Sequence, residues 1–575
     1  MFNKKEFSNF LIYVKRYPWI AMNTLIEFMI LSIQAIVQRI VYKFISDKHS
    51  FLKKKPKNVF INELNSKNVT TKFDIYLPNY ETHKIEIINL TSVEYSDSND
   101  IEVCYAENRL SYCINALFEN TINSDIAVEN ALSWIKKAIP KSDKAWEPYS
   151  CSERIANFGI LLSKNSFKLK PEEQKLVNQF IHEHIYWIDS HLEYYNSSKT
   201  NNHILNNCRA LIIGGVMINN EIAVERGLLL FDKMACEIIL ENGFLRERST
   251  HYQIIITNWL LDSIHFANSY TNLTTTSKKA LLSLNKLSEK VIYCTKTVLN
   301  FLKTNTTQIG DISPDYPPSI AIHKLKLLYL GEIDSKNLEN CYIDNWLFMS
   351  IGTNTLISNL VSNTFPLNFP THGHNDLGSF IWFKDSIPII VDPGRYRYTN
   401  DKISISQLST RYHNTILINE LPPLADSLKN GGNWYPLKYA NAKIKGNFIN
   451  DNEFIIEHTG LQRINKVGIH TRRFQLNESE LSVEDFIQGD GLHTISLNWH
   501  MGPNITQMAG NEFKFNNSST TIIFHTKEND NLNCELSTSN YYLSSEYGQF
   551  QESICINTLY KCKLPTTIIT TFKIN

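Results

Sequence analysis

The sequence predicts an α+β protein in which a helical domain, arranged as a toroid or solenoid, is followed by an antiparallel β-sandwich. Two observations support this prediction. Between about residues 110 and 345 apolar side chains recur at the spacing of amphipathic helices, and from about residue 346 onward short alternating strands are separated by polar turns. A run of helices followed by a run of strands is typical of a fold with two segregated halves.

Length and composition set the expected domain organisation. The 575 residues exceed what one hydrophobic core usually supports, so we predict three parts at 1–105, 106–345 and 346–575. Lys plus Arg equals Asp plus Glu at 57 each, which argues against a nucleic-acid partner. The ten cysteines include no C-x-x-C pair, so we expect buried thiols rather than a disulfide framework.

The first part of the chain is predicted to contain an amphipathic helix and a small β element. Residues 18–44 are rich in Ile, Leu, Met and Val but carry polar interruptions, which favours a helix packed on the body or lying on a membrane surface. Residues 1–16 lack the continuous apolar core of a signal peptide. A basic connector follows at 48–57, and short alternating runs between 72 and 105 predict strands.

Eight segments of the second part have apolar residues at i, i+3, i+4 and i+7, and each is predicted to be a helix. They are 128–139, 152–162, 171–195, 204–217, 221–240, 252–270, 277–302 and 320–330. Their short connections indicate antiparallel neighbours, and no fixed-period repeat is visible.

The third part opens with a cluster of metal-type ligands. His374, Asp392 and His413 are predicted to lie on three successive β elements, with residues 378–391 forming a hairpin that brings Asp392 near His374. Two imidazoles and a carboxylate suit Zn²⁺ with a fourth position left for water or substrate. His372 is left free to point into a cleft. The alternative is that these histidines are ordinary hydrogen-bonded residues near strand ends.

Three segments of the helical half carry further candidate residues. Asn201, Asn202 and His203 stand at the start of an apolar helix, where capping explains one Asn but not the adjacent His. A helix N-terminus also favours an anion such as a substrate carboxylate. Ser249 or Thr250 is expected to cap the helix that begins near Tyr252.

Possible ligand contacts flank these helices. Arg246 and Arg248 are candidates for binding acidic groups of a ligand. Tyr252 is either an ordinary amphipathic core residue or a functional phenol. Trp146 and Tyr149 form either a sugar-stacking surface or a plug between helices.

Six short segments between about residues 146 and 420 occur in a characteristic order. They are Trp146-Glu-Pro-Tyr with Ser152, Arg154 and Asn157, then Asn201-Asn-His203, Gly243-Phe with Glu247, Ser249 and Tyr252, His372-Gly-His-Asn-Asp, Val391-Asp-Pro-Gly and His413-Asn-Thr. Together they resemble the heparinase II/III-like and alginate-lyase-like polysaccharide lyases. The resemblance implies an N-terminal (α/α) toroid, or incomplete helical barrel, a C-terminal antiparallel β-sandwich, and β-elimination of a uronic-acid-containing polysaccharide between them.

The resemblance also implies roles for individual residues. Asn202 and His372 match positions that neutralise the uronate carboxylate. Tyr252 matches the catalytic tyrosine, and His203 matches the base used when the C5 proton and O4 lie on opposite faces. Tyr396 and Tyr398 lie where a further substrate-facing tyrosine often stands. His374, Asp392 and His413 match a zinc-binding triplet whose role is mainly structural.

The sequence leaves two other functions open. A glycoside hydrolase needs a pair of carboxylates, for which Glu247 with Asp376 is the best candidate. A non-catalytic glycan-binding or polysaccharide-assembly protein would keep Tyr252 and His203 as structural groups. The family usually carries a secretion signal, and the lack of a clear one at residues 1–16 argues against the degradation of external polysaccharide. Similar proteins belong to surface-polysaccharide assembly, so the expected location is a bacterial cell envelope or periplasm. The sequence does not specify an oligomeric state.

Overall fold

The structure is a computed structural model, and it describes most of the chain beyond residue 100. The described residues are 72–75, 83–86, 100–106, 108–118, 124–137, 145–163, 169–194, 201–302, 308–331, 339–360, 372–425, 442–508, 510–515, 521–527 and 533–575, with single positions at 8, 11, 15 and 29. The predicted helix at 18–44 and the basic connector at 48–57 therefore lie outside the described residues. Strands β1 (Lys72–Ile75) and β2 (His83–Glu86) form an antiparallel pair in the region where a small β element was predicted.

The helices of the helical half lie close to the segments that apolar periodicity predicts. Its described helices are α1 (Ile101–Ala106), α2 (Ser111–Phe118), α3 (Ser124–Lys137), α4 (Pro148–Ser163), α5 (Pro171–Ser190), α6 (His203–Met217), α7 (Glu221–Ile238), α8 (Thr250–Ser269), α9 (Thr275–Leu302) and α10 (Pro318–Leu325), which continues into a π-helical turn at Lys326–Leu330. All eight predicted helices are present. In the described part of the chain, no helix combines the length and apolar character needed to cross a bilayer.

Helix α6 is the central helix of this half. Residues Ile204 to Gly215 are buried, including the polar Asn206, Asn207 and Arg209, so protein surrounds the helix on all sides. It packs against α4, α5, α7 and α8. At Gly214 an added Cβ would lie 2.8 Å from Ile185 of α5, so the missing side chain allows the two helices to approach closely. The buried placement of α6 fixes the position of its N-terminal residues.

The β half contains two antiparallel sheets. The first is β3 (Cys341–Ile343), β4 (Trp346–Ile351), β5 (Asn354–Asn359), β6 (Phe380–Lys384) and β7 (Ile387–Ile390), in that order. A short helix α11 (Lys402–Ser406) and a 3₁₀ turn (Thr410–Tyr412) separate it from the second sheet. That sheet contains β8 (Ile416–Ile418), β9 (Ile444–Asn450), β10 (Glu453–His458), β11 (Val467–Leu476), β12 (Glu480–His500), β13 (Ile505–Gln507), β14 (Glu512–Phe515), β15 (Thr521–Lys527), β16 (Asn533–Leu543) and β17 (Gln551–Ile574).

The five-stranded sheet is the middle layer of the molecule. Along β6, Phe380 and Trp382 enter the core shared with the ten-stranded sheet, whereas Ile381 and Phe383 enter a core shared with the C-terminal part of α9. Successive side chains of a strand point to opposite faces, so a strand that is apolar on both faces is expected to be covered on both. This sheet therefore joins the sandwich to the helical half.

The predicted hairpin is confirmed, and its turn consists of Asp385 and Ser386, both with positive φ. The nine cysteines whose side chains are described are free thiols, as expected, but not all of them are buried: Cys236 on α7 is exposed, and Cys341 and Cys534 are half-buried.

Candidate active site and adjoining metal-ligand cluster

Residues from both halves meet at one imidazole. His372 lies in the loop before β6, and its ring stacks on that of Tyr252 of α8, with centroids 3.5 Å apart and planes 8° apart. Asn202 Nδ2, at the start of α6, lies 3.0 Å from His372 Nε2. Tyr252 and His372 are only 4% and 8% exposed. The structure thus brings together three of the four residues predicted to be catalytic.

Asn202 occupies the N-cap position of α6 but does not cap it through its side chain. Glu247 accepts hydrogen bonds from the Asn202 backbone N and from Nδ2, both at 2.8 Å. The Oδ1 atom of Asn202 is buried and has no hydrogen-bond partner among the described residues. Asn202 is therefore held beside His372 by Glu247, and its unpartnered Oδ1 can accept a hydrogen bond from a ligand hydroxyl.

Tyr252 is held in place by the start of α8. Ser249 is the N-cap, as predicted, and its hydroxyl accepts from Tyr252 N at 3.1 Å while donating to the Asp311 carbonyl at 2.7 Å. The Tyr252 hydroxyl lies 2.8 Å from that of Tyr398. Burial raises the pKa of Tyr252 well above its usual value, so the phenol keeps its proton at neutral pH.

His203 is the next residue after Asn202, but its side chain lies among acidic side chains. Its Nδ1 is 2.7 Å from Glu193 Oε1, and its ring packs 4.6 Å from that of Tyr149. Burial by itself lowers the pKa of His203, but Glu193, with smaller contributions from Glu147 and Glu247, outweighs burial and raises the pKa to about 9. His203 is therefore an imidazolium at neutral pH. About a third of its side chain remains exposed.

Asp311 lies between the two histidines of the His-Gly-His segment. Its Oδ2 is 3.2 Å from His372 Nδ1 and its Oδ1 is 2.9 Å from His374 Nε2. Burial raises the pKa of Asp311, but the Arg395 guanidinium, 3.3 Å from Oδ1, and the hydrogen bonds from both imidazoles reverse the shift and hold the pKa well below its usual value. Asp311 is thus a buried carboxylate that accepts hydrogen bonds.

His374, Asp392 and His413 form a compact buried cluster. Their ligand atoms all lie within 4.8 Å of one another, and His413 Nδ1 is 3.0 Å from Asp392 Oδ2. They stand in loops at the ends of β6, β7 and β8, the three successive β elements of the prediction. β8 also pairs with β12 of the other sheet, so the cluster is assembled from both sheets.

The donor set of this cluster fits a zinc ion. His374 Nδ1 is buried and has no partner among the described residues, while its Nε2 is held by Asp311. His413 Nε2 lies 3.1 Å from the Gln407 carbonyl. Each imidazole therefore has its distal nitrogen fixed, as is usual for histidines that bind a metal through the other nitrogen. Two imidazoles and a carboxylate leave a fourth position open in a tetrahedral site.

The arginines predicted to contact a ligand are engaged internally. Arg248 is 6% exposed, and its guanidinium donates to Asp376 Oδ1 at 3.4 Å and to the His374 carbonyl at 3.2 Å. Arg246 donates to the Glu237 carbonyl at 2.9 Å. Arg248 therefore supports the loop that carries His374 instead of facing the cleft.

The four aromatic residues predicted to contact a ligand differ in their surroundings. Trp146 stacks on His184 and is half-buried, which matches the alternative of a plug between helices. Tyr149 is buried, and its hydroxyl donates to Asp315 at 2.7 Å. Tyr396 packs against Phe550, away from Tyr252, whereas Tyr398 reaches the active site. Of these four, Tyr398 is the one that contacts the Tyr252 hydroxyl.

Two residues of the site were not predicted from the sequence in these roles. From the sequence, Glu247 is named in the Gly243 segment of the family resemblance and as half of a carboxylate pair, but not as the partner of Asn202, and Asp311 is not singled out. Asp311 follows Gly310 in the loop between α9 and α10, which also contains Ser313, Pro314, Asp315 and Pro317. That composition marks a loop but does not indicate which of its two aspartates, Asp311 or Asp315, approaches the histidines.

Comparisons with known proteins agree with this architecture. The family model for the heparinase II/III-like C-terminal domain matches residues 355–569. No curated protein sequence matches the chain.

Solved structures with the same fold cover most of the molecule. A crystal structure of heparinase III has a TM-score of 0.60 at 17% identity, covering 84% of this chain and 79% of that chain. A heparan sulfate lyase HepC mutant from Pedobacter heparinus has a TM-score of 0.56 at 13% identity, covering 94% and 88% respectively. The predicted fold, a helical toroid followed by an antiparallel β-sandwich, is confirmed. The chain therefore has the fold of heparinase III, and its residues 355–569 match the heparinase II/III-like C-terminal family model.

Proposed function

We propose that the protein is a polysaccharide lyase that cleaves a uronic-acid-containing polysaccharide by β-elimination. The observation that carries this proposal is the contact of a phenol and an amide with one imidazole, made by Tyr252, Asn202 and His372. The proposal is also supported by the structural neighbours, which are described as heparinase III and heparan sulfate lyase.

The reaction begins at the carbon next to a carboxylate. Removal of the C5 proton of a uronate builds negative charge on a group that is already anionic, so the site must hydrogen-bond or neutralise that group. Asn202 and His372 are assigned this role, with Asn202 Nδ2 turning its hydrogen bond from His372 Nε2 to the substrate carboxylate. Both are buried, which strengthens their interaction with the developing charge, and Glu247 holds Asn202 in place.

Two protons must then be moved. Tyr252 meets the substrate as a neutral phenol because burial raises its pKa, so it is suited to protonate the departing O4. When the C5 proton and O4 are on the same face, the same phenol is also positioned to take the C5 proton. For this it must first be a phenolate, its own proton having passed to solvent, and the Tyr398 hydroxyl at 2.8 Å is placed to donate a hydrogen bond to that phenolate.

His203 is assigned a different role at neutral pH from the one that the resemblance implies. As an imidazolium paired with Glu193 it cannot accept a proton, but its charge favours an anionic sugar at the start of α6. It becomes a base only as the pH approaches about 9, the raised pKa of the group. Substrates with the C5 proton and O4 on opposite faces should therefore need alkaline conditions.

His374, Asp392 and His413 are proposed to hold a zinc ion. When bound, zinc supplies a fixed positive charge and a rigid joint between the loops of the two sheets. The residues around it orient the loop of His372, and no proton is assigned to the ion.

The surroundings of Glu247 and Asp376, the two carboxylates that a hydrolase would use, do not favour the hydrolase alternative. Glu247 accepts from Asn202, and Asp376 pairs with Arg248, so each is engaged by a protein partner. A hydrolase would need one of them to be a free acid or base beside the scissile bond.

A substrate screen tests the proposal. Purified protein is incubated with alginate, heparan-type, hyaluronan-type and capsular polymers, while ultraviolet absorbance and new reducing ends are measured in parallel. A lyase generates a C4=C5 double bond, so both signals should rise together on at least one polymer. Reducing ends without absorbance would identify a hydrolase, and neither signal on any polymer, despite binding, would favour the glycan-binding alternative.

A further inference from the structure

Asp311 makes three contacts with the His-Gly-His segment across the boundary between the two halves. It lies between α9 and α10 and is 1% exposed. One carboxylate oxygen faces His374 Nε2 at 2.9 Å, and the other faces His372 Nδ1 at 3.2 Å. Its backbone N also donates to the His372 carbonyl at 2.8 Å. One residue of the helical half therefore holds both histidines of the β half.

The approach of this loop depends on the preceding residue. Gly310 has φ of +81°, and a Cβ there would lie 2.6 Å from the His372 carbonyl oxygen and 2.9 Å from the Arg248 carbonyl oxygen. Any side chain at this position would force the loop away from His372. The glycine thus permits the short contact from Asp311 N to His372.

The bonding pattern restricts both imidazoles. A carboxylate only accepts hydrogen bonds, so His374 Nε2 and His372 Nδ1 must each present an N–H to Asp311. That leaves His374 Nδ1, which is buried and has no partner among the described residues, as the nitrogen available to an ion. It also leaves His372 Nε2 facing Asn202, at 3.0 Å, in the active site.

We propose that Asp311 is a positioning residue that couples the metal-ligand cluster to the active-site imidazole. An ion bound to His374 Nδ1 would fix the orientation of that ring. Because Asp311 is hydrogen-bonded to both imidazoles, it would then also restrict the orientation of the His372 ring. The catalytic part of this inference rests on the proposed lyase function, whereas the metal-binding part does not.

Zinc affinity tests the first part without substrate. Full-length wild type, Asp311→Asn and Asp189→Asn are titrated with zinc alone in competition with a chromophoric chelator. Asn has the same size as Asp but can accept from only one imidazole while its NH₂ group opposes the other, so zinc affinity should fall about 10- to 100-fold. Asp189 is the control, since it is buried and pairs with Arg226 away from the cluster. Its variant should bind zinc like the wild type.

Kinetics at saturating zinc test the second part. In Asp311→Asn, kcat should fall at least about tenfold while KM changes less than about threefold, because the misplaced ring affects the transition state more than ground-state binding. Removal of zinc from the wild type should have the same effect, reversed when zinc is restored. This arm remains decisive if Asp311→Asn does not fold.

Each outcome decides a different claim. Unchanged zinc affinity in Asp311→Asn, or a wild type that binds no zinc, overturns the metal-binding part. Unchanged kcat on zinc removal overturns the coupling. Asp311-dependent zinc binding in a protein that cleaves no uronate polymer would instead refute the proposed lyase function and leave the metal-binding part standing.

Discussion

The ring of Tyr252 lies face to face with that of His372, with centroids 3.5 Å apart and planes 8° apart. The first residue belongs to helix α8 and the second to a loop of the β half, so the stack exists only when the two halves are docked. Neighbouring contacts hold it on both sides: Ser249 caps the helix below Tyr252, and Asp311 holds His372. The candidate active site is therefore a product of the interface between the halves.

Replacement of Tyr252 should separate catalysis from stability. Tyr252→Phe removes the hydroxyl proposed to protonate O4 but keeps the ring that stacks on His372. Turnover should fall about 10²- to 10⁴-fold or more, the usual contribution of an acid–base group, with little change in melting temperature. The control is Tyr541→Phe, which removes another buried hydroxyl, bonded to the Met501 carbonyl. Wild-type turnover in Tyr252→Phe would remove this phenol from the mechanism.

The pair of His203 and Glu193 should make a pH-dependent contribution to stability. The folded pKa of His203 is raised to about 9 from a usual 6.5, so the contribution is fully present below pH 6.5 and is lost as the pH rises through about 9. Thermal unfolding of wild type and Glu193→Gln should therefore differ most in mildly acidic buffer and converge in alkaline buffer. A difference that grows with pH would contradict the assignment.

The same pair should control which substrates are cleaved at neutral pH. Glu193→Gln removes the largest influence that raises the pKa of His203, so more of the imidazole becomes neutral near pH 7. Cleavage of uronates with the C5 proton and O4 on opposite faces should then extend to lower pH than in the wild type. The measurement is the pH profile of kcat/KM on such a polymer, and identical profiles would exclude His203 as the base.

Metal analysis should find close to one zinc per chain. His413→Ala should abolish stoichiometric binding because it removes one of three ligands from a buried cluster. His458→Ala is the control, since His458 is also a buried histidine but pairs with His470 elsewhere in the sandwich. Gently purified wild type without zinc, or His413→Ala with full zinc, would refute the assignment.

Gly310→Ala should cost both stability and activity. The positive φ and the clash with the His372 carbonyl together are expected to lower the free energy of unfolding by about 1–3 kcal/mol or more. Gly510→Ala isolates the backbone contribution, because Gly510 has φ of +56° but nothing within 4 Å of an added Cβ. Denaturant unfolding of both variants should show the larger loss at Gly310. Equal losses would mean that the close approach of Gly310 to the His372 carbonyl does not contribute to the loss of stability.

The amino-acid sequence was sufficient for the elements and for part of the site. Helix α6 and the hairpin of β6 and β7 are encoded by apolar periodicity and turn residues, which act over a few neighbouring positions. The order of His374, Asp392 and His413 around that hairpin is also a local property. For the same reason the Ser249 cap was predicted, since an N-cap needs only its own helix.

The tertiary structure was needed wherever a residue's partners come from distant segments. Asn202 is bound to Glu247 instead of capping α6, and Arg248 supports the His374 loop instead of facing a ligand, because the docking of loops decides which polar group satisfies which. Asp311 is the clearest case. Its role depends on the close approach of two halves that share no local pattern, and burial there makes a paired carboxylate far more favourable than an unpaired one.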